Sequence, residues 1–233
     1  MTKYRHIFFD LDHTLWDFET NSKETLYDLY HSHKLQGRGV ESFDIFHSTY
    51  HYHNTIFWDR FRKGFITREE LRWKRMWRTL LDFKIADEPF ARQLSEQYLE
   101  ILPTKKNLFH DTLEVLEYLR NKSYPLHLIT NGFKKTQHAK LNHSGIAGYF
   151  THVITSEAAG IMKPHVAIFE YAIEKANTTA KESVMIGDTL DADIEGADNA
   201  GMDTIYFNPA IPPNGEIKPT YVIETLGELK KIL

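Results

Sequence analysis

A short apolar run that ends in two carboxylates limits what this chain can fold into. Ile7, Phe8 and Phe9 have the pattern of a strand that is buried on both faces, and Asp10 and Asp12 follow directly. In open α/β folds, ligands bind at the carboxyl ends of parallel strands. Two acids this close repel each other unless a cation or a proton lies between them. The stretch therefore predicts a site for Mg²⁺ with oxygen ligands, although acids also commonly end a strand and open a turn.

The second half of the chain alternates short apolar runs with helical patterns, which is typical of a parallel sheet. We therefore predict an α/β fold with a Rossmann-like parallel sheet and helices on both faces. Asn208 to Pro219 holds four prolines and is predicted to be a loop. The predicted later strands are Leu126–Ile129, His152–Thr155, Ser183–Ile186, Thr204–Phe207 and Tyr221–Ile223.

Residues 16–104 contain no convincing strand and are predicted to form a smaller all-α unit inserted after the first strand. Within it, Thr67 and Glu70 have the spacing of a capping box at a helix start, and Asp111 and Glu114 repeat that spacing further on. The predicted domains are thus a catalytic α/β core of residues 1–15 and 105–233, and a helical cap of residues 16–104.

Composition excludes several classes of function. The formal charge of −4 and the lack of a Lys/Arg cluster argue against a nucleic-acid partner. The sequence has no cysteine, so thiol catalysis and Cys-ligated zinc are excluded. It shows no apolar run near the ~20 residues of a membrane span and no signal peptide, so no membrane association and a cytoplasmic location are expected.

Polar residues follow several of the predicted strands. If these strands are parallel neighbours, the polar groups meet at one edge of the sheet. Three acids there could hold Mg²⁺, while a lysine with hydroxyl and amide donors could hold phosphate oxygens. The residues concerned are Asp10, Asp12, Thr130, Asn131, Lys163, Asp188 and Asp193.

In this order, the patterns Asp-x-Asp-x-Thr, Thr-Asn, Lys-Pro and Gly-Asp-x-x-x-x-Asp resemble the haloacid dehalogenase (HAD) superfamily of aspartyl-phosphate hydrolases. The resemblance spans residues 10 to 193. It implies that Asp10 is the nucleophile that takes the phosphoryl group. It implies that Asp12 is the general acid and base. It also implies that Asp10, Asp188 and the backbone carbonyl of Asp12 hold Mg²⁺.

The resemblance assigns the remaining motif residues to supporting roles. Thr130 and Asn131 match phosphate donors, and Lys163 matches the cation that offsets charge on the nucleophile and in the transition state. Asp193 matches an acid that supports the metal or Lys163. Thr14 would brace the loop, and a plain helix N-cap is the alternative for it.

Details within these motifs indicate the branch of the superfamily. The dehalogenases lack the acid matched by Asp12, so a phosphatase is favoured. Many relatives carry glycine where this chain has His13. Thr130-Asn131-Gly132-Phe133, followed by Gln137 and Lys140, is similar to the branch of noncanonical pyrimidine 5′-nucleotidases. That likeness extends to Gly64–Arg75 in the insertion, which makes Arg75 a candidate for substrate contact, although Arg72, Arg75 and Arg78 otherwise read as a solvated face.

The predicted function is therefore a Mg²⁺-dependent phosphatase that acts on a small phosphorylated metabolite, with a nucleoside monophosphate as the favoured substrate. Sugar-phosphate phosphatases and mutases of the β-phosphoglucomutase type are the alternatives among enzymes. A phospho-receiver domain or a phosphate-binding protein is the alternative outside enzymes. A receiver is disfavoured because the candidate nucleophile lies inside the acid pair and a long insertion follows it.

Overall fold

The structure is a computed structural model that describes residues 3–207 and 217–233. Its described strands form one parallel sheet in the order β3-β2-β1-β4-β5-β6. This arrangement confirms the predicted Rossmann-like α/β fold, and each later strand lies within two residues of its predicted position. The strands are β1 (His6–Phe9), β2 (Leu126–Thr130), β3 (Phe150–Thr155), β4 (Ser183–Gly187), β5 (Asp203–Phe207) and β6 (Tyr221–Ile223).

The chain divides into two compact units. One contains Met1–Phe18 and Lys106–Leu233, and the other contains Glu19–Lys105. The regular elements of the second unit are all helical, and the predicted division into a core of residues 1–15 and 105–233 and a cap of residues 16–104 stays a prediction. Its helices are α1 (Phe18–Ser32, which begins one residue before the unit), α2 (Phe43–Arg62), α3 (Arg68–Asp82) and α4 (Glu88–Ile101), with 3₁₀ turns at Leu35–Arg38 and Leu102–Thr104.

Local sequence signals explain how the helical unit is built. The predicted capping box of α3 is present: Glu70 N–H donates to Thr67 Oγ1 over 3.2 Å, and Thr67 N–H donates to the Glu70 carboxylate over 2.9 Å. Leu71, Met76 and Leu80 of the same helix are buried. With Arg75 and Thr79 they form the buried side of α3, which spans about half of the helix circumference and supplies part of the unit's own core.

In the sheet-bearing unit, Phe8, Ile129 and Met185 of neighbouring strands form a buried cluster with Ile168 and Phe169 of a helix on one face of the sheet. The helices of this unit are α5 (Thr112–Asn121), α6 (Lys134–His143), α7 (Ser156–Ala159), α8 (Val166–Ala176), α9 (Gly196–Asn199) and α10 (Leu229–Ile232), and a π-helical turn at Leu190–Glu195 precedes α9.

Two further sequence predictions for this unit are not confirmed. The capping box predicted at Asp111 and Glu114 is wrong, because Asp111 has a left-handed backbone (φ +68°) and its side chain makes no capping bond to α5. Glu114 pairs with Lys230 instead. Residues 208–216 of the predicted loop lie outside the described residues. Across residues 3–207 and 217–233, no helix is long and apolar enough to cross a bilayer.

The strand register brings the predicted site residues to one edge of the sheet. β1 lies between β2 and β4, where Phe9 is opposite Leu128 on one side and Ile186 on the other. Asp10 follows at once, and its N–H donates to the Ile186 carbonyl over 2.9 Å. Because the strands are parallel, the residues that follow β2 and β4 emerge beside Asp10.

Candidate active site

Asp10 lies at the centre of the candidate site. Asp10 is 8% exposed, and Lys163 Nζ donates to its Oδ1 over 2.6 Å. The same ammonium donates to Asp193 Oδ1 over 2.5 Å. In the described part of the chain, no hydrogen bond engages Asp10 Oδ2. One carboxylate oxygen is thus held by a lysine, while the other is left to meet a ligand.

Lys163 is held in place through its own backbone. Asn131 Nδ2 donates to the Lys163 carbonyl over 2.9 Å, and Lys163 N–H donates to Asn131 Oδ1 over 2.8 Å. The Asn131 side chain is therefore committed to the loop that carries the lysine. The predicted role of Asn131 as a phosphate donor stays a prediction, and it would fall to its second Nδ2 hydrogen or its backbone amide.

Asp193 is fixed from two sides. Its Oδ1 accepts from Lys163, and its Oδ2 accepts from Thr189 N–H over 3.1 Å. Its carboxylate also lies over Gly187, where a Cβ would come within 2.4 Å of it. The end of β4 therefore needs a glycine so that this acid can reach the lysine. This placement supports the predicted supporting role of Asp193.

Asp188 completes the acid cluster. Thr14 Oγ1 donates to its Oδ1 over 3.0 Å, so Thr14 braces this acid and is not an N-cap, since α1 begins only at Phe18. Oxygens of Asp10, Asp188 and Asp193 lie within 4.8 Å of one another. Lys163 forms ion pairs with Asp10 and Asp193, so one ammonium group is set against three carboxylates. Oxygen donors with excess negative charge suit a hard divalent cation such as Mg²⁺.

The pKa values of the residues in the cluster are shifted in the directions that an excess of negative charge produces. Burial raises the pKa of Asp10 well above its ordinary value, against the lowering effect of Lys163, and the charges of Asp193 and Asp188 add to the rise. Burial and the charge of Asp193 also raise the pKa of Asp188 to about 7. Burial alone would lower the pKa of Lys163, but the charges of Asp10 and Asp193 raise it. A bound cation would relieve the penalty on both raised acids.

Asp12 has different surroundings, although it is only two residues from Asp10. Its carboxylate lies outside the cluster formed by Asp10, Asp188 and Asp193. Lys140 Nζ donates to Asp12 Oδ1 over 2.5 Å, and Gln137 Nε2 donates to Asp12 Oδ2 over 3.0 Å. Both partners project from α6. The part of Asp12 predicted to bind metal is its backbone carbonyl, and this side-chain placement is compatible with that prediction.

The pKa of Asp12 shifts in the opposite direction to that of Asp10. Burial would raise the pKa of Asp12, but the charge of Lys140 and the hydrogen bonds from Lys140 and Gln137 lower it below its ordinary value. About a quarter of the Asp12 side chain is exposed (24%), which weakens the burial effect. Asp12 is therefore an ionised base at neutral pH. This form fits the water-activating half of its predicted role, and the acid half requires it to gain a proton.

Thr130 ends β2 and is 2% exposed. Its Oγ1 accepts from Gln137 Nε2 over 2.6 Å and from Gly132 N–H over 3.1 Å. Thr130 thereby shares a partner with Asp12. Sequence reasoning treated Gln137 and Lys140 only as markers of a branch. The sequence offers one indication that both side chains contact the Asp12 carboxylate. They are three residues apart on the helix after β2, so they lie on the same side of that helix.

Arg75 does not belong to a solvated face, contrary to that prediction. It is 4% exposed, and its Nη1 donates to Asn54 Oδ1 over 2.6 Å. Its guanidinium lies 5.7 Å from the Tyr98 ring centroid and 6.0 Å from that of Tyr50. The reason is helical spacing, since Arg75 follows Leu71 by four residues on the inward face of α3. Its role as a substrate contact stays a prediction, and this burial counts against it.

His13 occupies a position where glycine would fit without strain. Its φ is +63°, in the left-handed region that side chains with a Cβ disfavour. Its N–H donates to the Trp16 carbonyl over 3.0 Å, which closes the tight loop between Asp12 and α1. The left-handed backbone is thus a physical reason for a glycine at this position, since glycine adopts it without strain.

The fold and the site together define a class: an α/β protein with a parallel sheet and a buried aspartate at the end of its first strand. Comparison with known proteins agrees. The family model of haloacid dehalogenase-like hydrolases matches residues 4–201. This chain belongs to the haloacid dehalogenase-like hydrolases.

Individual relatives match along the whole chain. HAD-hydrolase YfnB of Bacillus subtilis (strain 168) is 31% identical over all of this chain and 97% of its own. A YfnB crystal structure bound to magnesium has a TM-score of 0.88 and 30% identity, covering 100% and 99% of the two chains. The pyrimidine 5′-nucleotidase PynA of Streptococcus pneumoniae is 31% identical over 97% of this chain and 93% of its own. The pyrimidine 5′-nucleotidase YjjG of Escherichia coli (strain K12) is 30% identical over 99% and 98%.

Proposed function

We propose that this chain hydrolyses phosphomonoesters through an aspartyl phosphate on Asp10. The observation that carries the proposal is the state of the Asp10 carboxylate. Lys163 holds one of its oxygens, and no hydrogen bond from a described residue engages the other, at the end of the central strand. A buried carboxylate with one free oxygen beside a fixed cation is suited to attack phosphorus and to carry the product.

The surrounding residues would divide the remaining work. Asp10, Asp188 and the carbonyl of Asp12 would hold Mg²⁺, which when bound supplies positive charge against the phosphate oxygens. Lys163 lies against Asp10 and would offset the charge that develops as the phosphoryl group moves. The Thr130 hydroxyl would donate to a phosphate oxygen.

Asp12 would move the protons. As the ester P–O bond breaks and the Asp10–phosphorus bond forms, a protonated Asp12 would give its proton to the leaving oxygen. The resulting carboxylate would then take a proton from the water that attacks phosphorus, releasing inorganic phosphate and restoring Asp10. Lys140 and Gln137 bind the ionised form of Asp12, which is the form that the second step uses.

As substrate class we propose nucleoside 5′-monophosphates, with pyrimidine nucleotides preferred. Support comes from the two relatives named as pyrimidine 5′-nucleotidases, which match this chain over nearly its full length. The core residues described above would contact only the phosphate and the leaving oxygen, so they would serve other small phosphate esters as well. The choice of leaving group is proposed to fall to the helical unit.

The test is release of inorganic phosphate by the full-length protein, with Mg²⁺ or with EDTA. The panel holds pyrimidine and purine 5′-monophosphates, sugar phosphates and p-nitrophenyl phosphate. We expect Mg²⁺-dependent turnover with the highest kcat/KM for pyrimidine nucleotides, and none with Asp10→Asn. Release from sugar phosphates alone would keep the chemistry but overturn the substrate class. A long-lived phosphoprotein without turnover would indicate a receiver, and no release from any ester would overturn the proposal.

A further inference from the structure

Outside the acid cluster, a second built network surrounds Asp12. Gln137 is fully buried (0% exposed), and Lys140 is 3% exposed. Both lie on α6, and both donate to the Asp12 carboxylate, one to each oxygen. Burying a lysine and a glutamine is costly unless each is well paired. The burial of both around one carboxylate therefore indicates that the orientation of this carboxylate matters.

The carboxamide of Gln137 can adopt only one orientation. Its Nε2 donates to Asp12 Oδ2 over 3.0 Å and to Thr130 Oγ1 over 2.6 Å. Turning the group over would place Oε1 against a carboxylate oxygen, and two acceptors repel. In the present orientation Oε1 is buried with no partner among the described residues. The fold thus leaves Oε1 without a hydrogen bond while Nε2 keeps both of the hydrogen bonds that it donates.

These donations also determine what the Thr130 hydroxyl can do. A hydroxyl has two lone pairs and one hydrogen. Gln137 Nε2 and Gly132 N–H occupy both lone pairs of Thr130 Oγ1. The hydroxyl hydrogen is then the part that remains for a ligand, and it can only donate. An oxygen of a phosphate group is an acceptor that suits it.

Lys140 is held in one position by its surroundings. Its Nζ lies 4.3 Å from the ring centroid of Trp16 and 5.6 Å from that of Phe18. Ammonium groups are attracted to the faces of aromatic rings, so these rings confine it beside Asp12. Among the described residues, Asp12 is the one acid that forms an ion pair with Lys140.

Gly132 makes the arrangement possible. A Cβ at this position would lie 2.3 Å from Gln137 Nε2 and 2.4 Å from its Cδ. The glycine after Asn131 therefore leaves the space in which the carboxamide reaches both Asp12 and Thr130.

We propose that Gln137 and Lys140 are positioning residues for the phosphoryl transfer: Gln137 aligns the proton-transfer group Asp12 with the phosphate donor Thr130, and Lys140 holds the Asp12 carboxylate at the leaving oxygen. The inference rests on the proposed function. It adds that the acid and the phosphate donor are set by one shared side chain, so that moving Gln137 displaces both.

The test compares kcat/KM for two esters, because kcat/KM reports the steps up to departure of the leaving group. A nucleoside 5′-monophosphate has a poor leaving group that needs a proton, and p-nitrophenyl phosphate has a good one that does not. For Lys140→Met we expect a loss of about 10-fold or more on the nucleotide and less than about 3-fold on the nitrophenyl ester. Lys140→Arg should restore most of the nucleotide activity, and Lys135→Met, an exposed lysine of the same helix, is the matched control.

Gln137→Met separates the two effects of the glutamine. It keeps the length of the side chain and removes both donations. We expect kcat/KM to fall for both esters by about 10-fold, since both carry the phosphate that Thr130 contacts, with a further loss on the nucleotide. Gln36→Met, at an exposed glutamine of the helical unit, serves as its control.

A double-mutant cycle shows whether Lys140 acts through Asp12. In an Asp12→Ala background, Lys140→Met should cost no further activity on the nucleotide, because its target is already gone. Additive losses would overturn the proposal, and so would equal losses of Lys140→Met on the two esters. Thermal unfolding checks that each variant is folded. If Lys140→Met fails to fold, Gln137→Met and Lys140→Arg still decide, since normal kcat/KM for Gln137→Met refutes the shared role.

The two proposals fail in different ways. A wild-type protein that releases no phosphate from any ester refutes the proposed function. The positioning role alone is refuted if the wild-type protein is active and Asp10→Asn abolishes that activity, but Gln137→Met and Lys140→Met leave it unchanged.

Discussion

Asp10 and Asp12 leave the same strand two residues apart, yet they have opposite surroundings. Asp10 lies with Asp188 and Asp193 around one lysine, where negative charge is in excess, and its pKa is raised. Asp12 lies between Lys140 and Gln137, where its charge is matched, and its pKa is lowered. The difference arises because the two side chains approach different elements: the end of β4 and the Lys163 loop in one case, and α6 in the other.

This contrast shows how one short motif can supply two chemically distinct groups. A carboxylate in an acid-rich cluster is stabilised in its ionised form by a cation, which suits it to the proposed metal binding and attack on phosphorus. A carboxylate that is paired with its own lysine does not depend on a metal to balance its charge. It is therefore suited to the proposed exchange of a proton with substrate and water. Pairs of titratable groups whose pKa values are driven apart by their surroundings are a common arrangement in acid–base catalysis.

The largest expected effect comes from neutralising each acid in turn. Asp10→Asn should lower turnover by about 1,000-fold or more, since the proposed nucleophile is lost. In metal-free buffer it should leave the free energy of unfolding unchanged or raise it, because it removes charge from a repulsive cluster. Asp12→Asn should reduce nucleotide turnover by about 100-fold or more. It should also lower the free energy of unfolding by about 2 kcal/mol, since Lys140 then lies buried without its charge partner.

Steady-state phosphate release and urea unfolding in EDTA provide both measurements. The decisive outcome is the sign of the two stability changes. If both variants were destabilised equally, the two acids would share one electrostatic environment and the contrast would be wrong.

The next effect concerns pH and metal removal. Asp188 has its pKa raised to about 7 from an ordinary value of 3.8. Between these values the folded protein keeps a proton that the unfolded chain has released, so this group lowers stability as pH rises, and its full penalty is present above about pH 7. The quantity to follow in EDTA is the free energy of unfolding of Asp188→Asn minus that of the wild type. This difference should be smallest near pH 4 and should increase until about pH 8.

The difference between the two proteins is the quantity to measure, since other groups titrate in the same range. Burial first, and then the charges of His6 and His152, lower the pKa of His127 to about 3, so His127 makes stability rise with pH below its ordinary value of 6.5. That contribution is common to both proteins and cancels. Adding Mg²⁺ should shrink the difference, and a difference that is independent of pH would argue against a strained Asp188.

A smaller effect is expected from the glycine under Asp193. In Gly187→Ala the new Cβ would meet the Asp193 carboxylate at 2.4 Å, so the acid must move from Lys163. We expect a loss of about 1–3 kcal/mol in the free energy of unfolding together with reduced turnover. Gly148→Ala is the control, because nothing lies within 4 Å of a Cβ there. Equal behaviour of the two variants would mean that Asp193 can move without consequence.

The smallest effect tests the loop that carries Asp12. His13 has a φ of +63°, which glycine adopts without strain. His13→Gly should therefore leave the fold intact and change the free energy of unfolding by less than about 1 kcal/mol, because relief of strain is offset by the greater freedom of glycine in the unfolded chain. Chemical denaturation measures this change, and a loss well above that size would show that the His13 side chain supports the loop through its contacts.

Sequence alone predicted the sheet, because buried strands that end in polar residues have a strong local pattern. It also predicted that Asp10, Lys163, Asp188 and Asp193 would meet, since parallel strands deliver their ends to one edge. The capping box of α3 was predictable from two residues. The one at Asp111 was not, because a left-handed backbone depends on packing beyond the local stretch.

Two features of the side chains lay beyond sequence reasoning. The pairing of Asp12 with Lys140 joins residues 128 positions apart, and only the docking of α6 brings them together. Arg75 was predicted to lie on a solvated face with Arg72 and Arg78. Its burial follows from the register of the inward face of α3, where Asn54 and two tyrosine rings receive it.

The tight fit between Gly132 and Gln137 has a consequence for natural variation. A homologue with alanine or anything larger at the first position has no room for a glutamine of this shape at the second. Loss of the glycine should therefore be accompanied by a change at the glutamine position, and such a lineage should also have a different way of orienting the acid that is proposed to transfer the proton.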